Sequence, residues 1–306
     1  MDNFNSQTIR IIPRLDIKSE NLVKGIRFEG IRVLGKPEWF AELYYEEGAD
    51  EIIFNDVVAS LYGRNSLKDI VKKTAEEIFI PMTVCGGIRS IADISSLLKY
   101  GADKVAINTA AIHNPKFLGD AVKEFGSQCI VLYVEAKKRD NDKYEALCCG
   151  GREQTGVDVF EWVKKCESLG VGEILLTSVD QDGTGLGFDI KLIEKIVSLV
   201  DIPVIASSGA GKKEDILNLM HKTKPDAVSV SSILHYGILS RIVADKALSG
   251  EFGENVNIDF IANKDRLDFI TKGFTCLSLI ELKEYLSNGE IKVRSVIDAK
   301  DCYSRL

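Results

Sequence analysis

Two carboxylates close apolar runs at corresponding places in the chain. Asp16 ends Ile11-Ile-Pro-Arg-Leu-Asp, and Glu135 ends Ile130-Val-Leu-Tyr-Val-Glu, 119 residues later. On strands that converge on one mouth, such a pair suits a general acid and a general base acting on a substrate held between them. The plainer alternative is a helix cap or an ion pair with the neighbouring Lys18 or Lys137. Two further groups suit anions: Cys85-Gly-Gly87 with Asn108 and Thr109, and Ser207-Ser-Gly209 with Ser231 and Ser232. Glycine lets backbone N–H groups approach a phosphate closely, although glycines also serve tight turns for steric reasons alone. Two such groups at matching positions imply a ligand with a phosphate at each end. Asp182 and Gly183, in Asp180-Gln-Asp-Gly-Thr184, add donors and acceptors beside the second group or form a plain turn. Lys24 lies in a glycine-bounded stretch from Leu22 to Gly30, read as a loop long enough to act as a lid. There it clamps an anion when the loop closes, or is simply a solvated lysine. His235 has no acidic neighbour in the sequence and reads as a packing residue.

The elements that must position these groups repeat. Gly48-Ala-Asp-Glu-Ile-Ile recurs as Gly170-Val-Gly-Glu-Ile-Leu, and the Ile80-Pro run recurs at Ile202-Pro, both 122 residues on. Ala102-Asp-Lys-Val is echoed by Pro225-Asp-Ala-Val. Short apolar runs read as eight strands, at 8–17, 51–56, 82–84, 105–107, 129–134, 174–177, 204–206 and 227–230, with amphipathic helices between most of them. This alternation predicts an α/β fold, a closed (βα)8 TIM barrel, with an open doubly wound sheet as the alternative. Equivalent glycine turns after the third and seventh strands favour the barrel, because an open sheet has one such turn after its first strand. The whole chain, 1–306, then forms one domain of two half-barrels, about 8–124 and 125–294. An insertion spans about 239–278, free of any evident barrel element, and a tail covers 295–306.

A chain of 306 residues, 45% hydrophobic, buries a sizeable core. Its net charge of −7 disfavours nucleic acid as a partner. No long apolar span or leader is evident, so a cytoplasmic protein without membrane contact is expected. Seven cysteines, no Cys-x-x-Cys and three histidines argue against a structural metal site, and no cofactor is expected. Adjacent Cys148 and Cys149 read as reduced thiols, or less simply as a redox pair.

Segments including Arg10-Ile-Ile-Pro-Arg-Leu-Asp-Ile-Lys18, Val23-Lys-Gly-Ile-Arg-Phe-Glu-Gly30, Gly101 to Ala111 and Gly172 to Gly183 closely resemble the cyclase subunits of imidazole glycerol phosphate synthase, from histidine biosynthesis. The resemblance covers about 8–238 and resumes at 279–294. It implies a two-fold barrel that takes ammonia from a partner glutaminase. The barrel uses the ammonia to cleave and cyclise a small bisphosphorylated substrate to imidazole glycerol phosphate and an aminoimidazole carboxamide ribonucleotide. By position, it makes Asp16 and Glu135 catalytic and Lys24 the loop lysine. It places one phosphate at Gly87, Asn108 and Thr109, and the other at Asp182, Gly183, Gly209, Ser231 and Ser232. It assigns Arg10, Glu51, Lys104 and Glu173 to a charged ring that admits ammonia at the opposite end of the barrel.

Departures cluster at the mouth. The family's second aspartate is Glu135, and one added methylene moves the carboxylate by ~1 Å, a shift able to cost ~100-fold in rate. Cys85 and Ser208 replace glycines, and Arg14 fills a position commonly small. These changes also resemble a paralogue that supplies ammonia for amidination of a sugar in surface-polysaccharide biosynthesis. A noncatalytic, glutaminase-activating scaffold is a third reading.

Overall fold

The computed structural model describes residues 8–59, 67–140, 142–249, 255–257 and 270–295. The chain starts with β1 (Arg10–Lys18), the antiparallel pair β2 (Asn21–Ile26) and β3 (Glu29–Gly35), α1 (Pro37–Glu46), β4 (Ile52–Asp56) and α2 (Leu67–Glu77). Then come β5 (Met82–Cys85), α3 (Ile91–Lys99), β6 (Lys104–Ile107), the short α4 (Thr109–His113) and α5 (Lys116–Phe125). The second part holds β7 (Ile130–Lys138), β8 (Tyr144–Leu147), α6 (Val159–Ser168), β9 (Glu173–Ser178), α7 (Ile190–Leu199), β10 (Val204–Ser207), α8 (Lys213–Thr223), β11 (Ala227–Val230), α9 (Ser232–Ser249) and α10 (Leu279–Asn288).

Eight of these strands, β1, β4, β5, β6, β7, β9, β10 and β11, pair in parallel, and β11 returns to β1 with Arg10 opposite Ala227. The sheet is therefore a closed barrel and not the open alternative. Nearly continuous apolar strands reflect burial on both faces, since helices cover the outside and side chains fill the inside. Inside lie Ile12, Ile53, Cys85, Ala106, Val131, Tyr133, Leu175, Ile205 and Ala227. Outside, Leu192, Ile193 and Ile196 of α7 recur at helical spacing on the face turned to the sheet. Among the described residues no helix is long and apolar enough to cross a membrane.

The recurrent aspartate that precedes the strands has a mechanical purpose. A strand's first N–H, when the neighbouring strand starts later, has no ladder partner and must find an acceptor. Asp50 accepts the N–H of Ile11, Asp103 that of Met82 and Asp226 that of Val204, each at 2.8 Å. At the corresponding place in Gly170-Val-Gly172 the residue is glycine because a Cβ there would lie 2.2 Å from the Ser127 carbonyl oxygen.

Three expectations change. The stretch from Leu22 to Gly30, read as an open lid loop, is a hairpin of β2 and β3 that extends the sheet from β1. Its polar, Gly-containing sequence lacks clean alternation, and pairing to β1 overrides that weak propensity. The fifth barrel strand runs to Lys138, past the expected end, because β8 pairs with it antiparallel. The insertion does not lack structure at its start: α9 continues through 239–249, and Val256 bridges back to Gly35. All of Asn263 to Asp268, and all of the tail except Ser295, lie outside the described residues.

Asp103→Ala leaves the Met82 N–H unpaired and should cost about 1–2 kcal/mol. Asp103→Asn keeps an oxygen acceptor and should cost less, as read from urea denaturation midpoints of the two variants.

Candidate active site

Strand alternation turns residues 10, 12, 14 and 16 of β1 toward the axis, and this places Arg14 and Asp16 in the mouth. Asp16 accepts from Arg14 Nε at 3.0 Å, Asn55 Nδ2 at 2.9 Å and Lys24 Nζ at 3.0 Å. Lys24 also faces Asp182 Oδ1 at 3.5 Å, and Ser208 Oγ donates to that oxygen at 3.1 Å. The Arg14 guanidinium further donates to Thr177 Oγ1 at 2.9 Å and to Tyr133 Oη at 3.1 Å. Two cations and two anions thus share a site in which Arg14, Asp16, Lys24 and Asp182 are all buried. Burial works against the charge of Asp16, yet Arg14 and Lys24 overcome it and hold the carboxyl well below its usual range. Burial likewise opposes the Lys24 ammonium, and Asp16 and Asp182 prevail, raising its pKa to about 12.

Glu135 stands in different surroundings. Its Oε2 accepts from Asn108 Nδ2 and from the Gly151 N–H, each at 2.8 Å. Burial is the largest influence on it and pushes its pKa up to about 7, against the pull of the Gly151 N–H and the more distant Arg14. The pair expected to act as acid and base is therefore divided by environment. Asp16 stays ionised, whereas Glu135 holds or releases a proton near neutrality. Neither Lys18 nor Lys137 neutralises them: Lys137 pairs with Asp180.

Two cavities flank these carboxylates. One of about 420 Å³ is lined by Gly87, Asn108, Thr109, Tyr133 and Glu135. Gly86 and Gly87 adopt φ of 98° and 70°, and a Cβ on Gly86 would come within 2.6 Å of the Asp56 carbonyl oxygen, so the turn requires glycine. Asn108 spends its amide N–H groups on Glu135 and the Leu147 carbonyl, while its buried Oδ1 meets no donor among the described residues. The other cavity is narrow, about 20 Å³, and is lined by Arg14, Lys24, Asp182, Gly183, Gly209, Ser231 and Ser232. Ser231 and Ser232 lead into α9, whose N-terminal N–H groups favour an anion. Each of the two sets of residues thus lines one cavity. Lys24, on β2 of the hairpin, is only 3% exposed, so the solvated alternative is excluded.

At the other end of the barrel Arg10 pairs with Glu51 at 2.9 Å and with Glu173, and Lys104 pairs with both glutamates at 2.8 Å. The four form a closed, charge-neutral ring. His235 is fully buried: its Nδ1 faces Tyr44 Oη at 2.6 Å and its Nε2 faces the Arg14 carbonyl at 3.1 Å. Burial lowers its pKa to about 3, which makes it a neutral packing residue, with the proton on Nε2 to meet the carbonyl. Arg14 stands out in the sequence only as a departure, and Asn55, Tyr133 and Thr177 join the site without having been expected there. Their signal was available, because all lie on alternating, inward positions. Gly151 carried none, since its contact depends on the fold of a turn.

Residues 10–240 match the family described as histidine biosynthesis proteins. The imidazole glycerol phosphate synthase subunit HisF of Legionella pneumophila is 56% identical over 207 residues, covering 68% of this chain and 98% of that protein. The subunit HisF of Lactococcus lactis subsp. cremoris strain MG1363 is 50% identical over 231 residues, 75% of this chain and 89% of that protein. That of Bacillus cereus strain ATCC 10987 is 48% identical over 228 residues, 74% and 90% respectively.

Asp16→Asn leaves Arg14 without its carboxylate and Lys24 with Asp182 alone, one buried positive charge in excess, and should destabilise the protein by about 3 kcal/mol. Combining it with Arg14→Met removes one stranded charge and should recover part of that loss. Additive losses in a denaturation double-mutant cycle would contradict the coupling.

Proposed function

The chain belongs to the family of histidine biosynthesis proteins, and from that premise we propose that it is the cyclase subunit of an imidazole glycerol phosphate synthase. It is an enzyme of the lyase type that uses ammonia from a glutaminase partner to cleave and cyclise a bisphosphorylated substrate. The observation that carries this reading is the division of charge along the barrel. A neutral ring of Arg10, Glu51, Lys104 and Glu173 closes one end, while Asp16 and a proton-exchanging Glu135 stand between two glycine-lined cavities at the other.

In this mechanism one phosphate rests against Gly87, Asn108 and Thr109. The other lies against Gly183, Gly209, Ser231 and Ser232, with Lys24 and Asp182 beside it. Fixing both ends leaves the reacting centre between the carboxylates, so that positioning supplies much of the rate. Ammonia enters through the ring as the neutral molecule, because the paired charges part for it without releasing a net charge. It then crosses the apolar interior lined by Ile12, Ile53, Val131 and Leu175. Glu135, with a pKa of about 7, is the proton-exchanging group, and Asp16, held ionised by Arg14 and Lys24, is the fixed electrostatic partner.

A second reading has its own support. The Arg14 guanidinium on Asp16 puts a cation in the mouth where the resembling family commonly has a small residue. That charge suits an acidic sugar acceptor, as in the sugar-amidinating paralogue. Incubating the purified chain with ammonium salt and the histidine-pathway bisphosphate decides between them. Formation of imidazole glycerol phosphate is expected, and neither turnover nor binding would favour the sugar.

At a fixed concentration of free ammonia, kcat/KM should fall as pH rises through about 7, where Glu135 loses its proton. Glu135→Gln should abolish that break and lower kcat roughly 100-fold, the scale of a lost general acid. Product formation unaffected by both Glu135→Gln and Asp16→Asn would leave the scaffold reading standing instead. Arg10→Ala unbalances the ring and should lower glutamine-driven turnover more than ammonium-driven turnover, compared in the reconstituted complex.

A further inference from the structure

Beside the larger cavity, three donor groups of different chemistry converge from two distant parts of the chain. His113 ends α4, and Cys148 and Glu153 flank the turn that follows β8. Cys148 Sγ lies 3.9 Å from His113 Nε2 and 3.8 Å from Glu153 Oε2, and all three ligand atoms fall within 4.8 Å of one another. Zinc bonds of about 2.3 Å to sulfur and about 2.0–2.1 Å to nitrogen or oxygen, at tetrahedral angles, place such donors ~3.5 Å apart. The two separations from Cys148 Sγ need to close by only a few tenths of an ångström, and the exposed His113 and Glu153 side chains can turn toward each other to complete the set.

The backbone has built this arrangement in advance. Cys148 and Glu153 exchange backbone hydrogen bonds, N–H to O at 3.1 and 3.2 Å, which hold them opposite each other. Between them Cys149, Gly150 and Gly151 take φ of 53°, 69° and 73°, a left-handed run that tightens the turn. The turn is tied to α4 because the Cys149 N–H donates to Thr109 Oγ1 at 3.0 Å. Of the three ligands, Cys148 is buried and the other two are exposed, so a cation can enter from solvent.

We propose that His113, Cys148 and Glu153 form a binding site for a thiophilic divalent cation, with zinc the best match to one nitrogen, one sulfur and one carboxylate oxygen. Thiolate plus carboxylate neutralises the 2+ charge, and the Cys148 thiol proton leaves to solvent on binding. Three protein ligands leave a fourth position for water or an oxygen of a bound molecule. The same turn donates the Gly151 N–H to Glu135, so the cation fixes the segment that positions this carboxylate. No Cys-x-x-Cys announces the site, because its spacing is set by the fold.

The full-length chain, stripped of metal, should take up one equivalent of Zn²⁺ in competition with a chromophoric chelator. His113→Ala, Cys148→Ser and Glu153→Gln should each weaken binding by roughly 10-fold or more, with circular dichroism confirming that each variant is folded. With Co²⁺ as probe, a thiolate-to-metal charge-transfer band should appear, survive Cys149→Ser and vanish in Cys148→Ser. Zinc uptake below one equivalent, affinity indifferent to the three substitutions, or a band that persists in Cys148→Ser would overturn the assignment.

Discussion

The axis of a closed barrel offers charges little solvent, so a charge placed there is stable only if side chains from other strands neutralise it. This chain meets that constraint twice. Arg10 and Lys104 balance Glu51 and Glu173 at one end, and Arg14 and Lys24 balance Asp16 and Asp182 at the other. Between them lies an apolar layer that, among the described residues, no charge interrupts. Glu135 is the surplus anion. Among the described residues no cation hydrogen-bonds to it, which is why burial decides its protonation while Asp16 is fixed as an anion. The division of labour between two related carboxylates thus follows from charge balance more than from the extra methylene of glutamate.

Much of the frame was legible from sequence because its signals are local. Apolar runs gave the eight strands to within a few residues, and the glycine pairs gave the two turns. The recurrent Gly-Ala-Asp marked strand entrances, where its carboxylate accepts the first free N–H of the neighbouring strand. The hairpins were not legible. Both β2–β3 and β8 are stabilised by pairing to a barrel strand and not by their own composition, so no window of sequence shows them. The environment of Asp16 was hidden for a similar reason: Asn55, Lys24 and Arg14 reach it from three strands. The cluster of His113, Cys148 and Glu153 likewise exists only once α4 and the turn after β8 are adjacent.

The two halves differ most in what they add to their first strands. β1 acquires a two-stranded hairpin that buries Lys24 and packs against the Asp180–Gly183 turn, where Arg27 donates to the carbonyls of Asp180 and Asp182. A Cβ on Gly183 would lie 2.3 Å from the Gly25 carbonyl oxygen, so the contact is close enough to exclude any larger residue. β7 acquires only β8 and a tight turn, which leaves the cavity beside Glu135 the roomier of the two. One side of the mouth is therefore a closed clamp and the other an open basin.

The pairing of charges across the barrel also bears on how the chain avoids the wrong partner while it folds. The strands up to β6 contribute Arg10, Arg14, Lys24 and Lys104 to the axis against Asp16 and Glu51, an excess of cations. The part from β7 onward contributes Glu173 and, from the turn after β9, Asp182, with Glu135 besides. An emerging first half that met a second copy of itself would bury like charges and be repelled. Its own sequel brings the complementary sign, which favours closure of the barrel on the same chain.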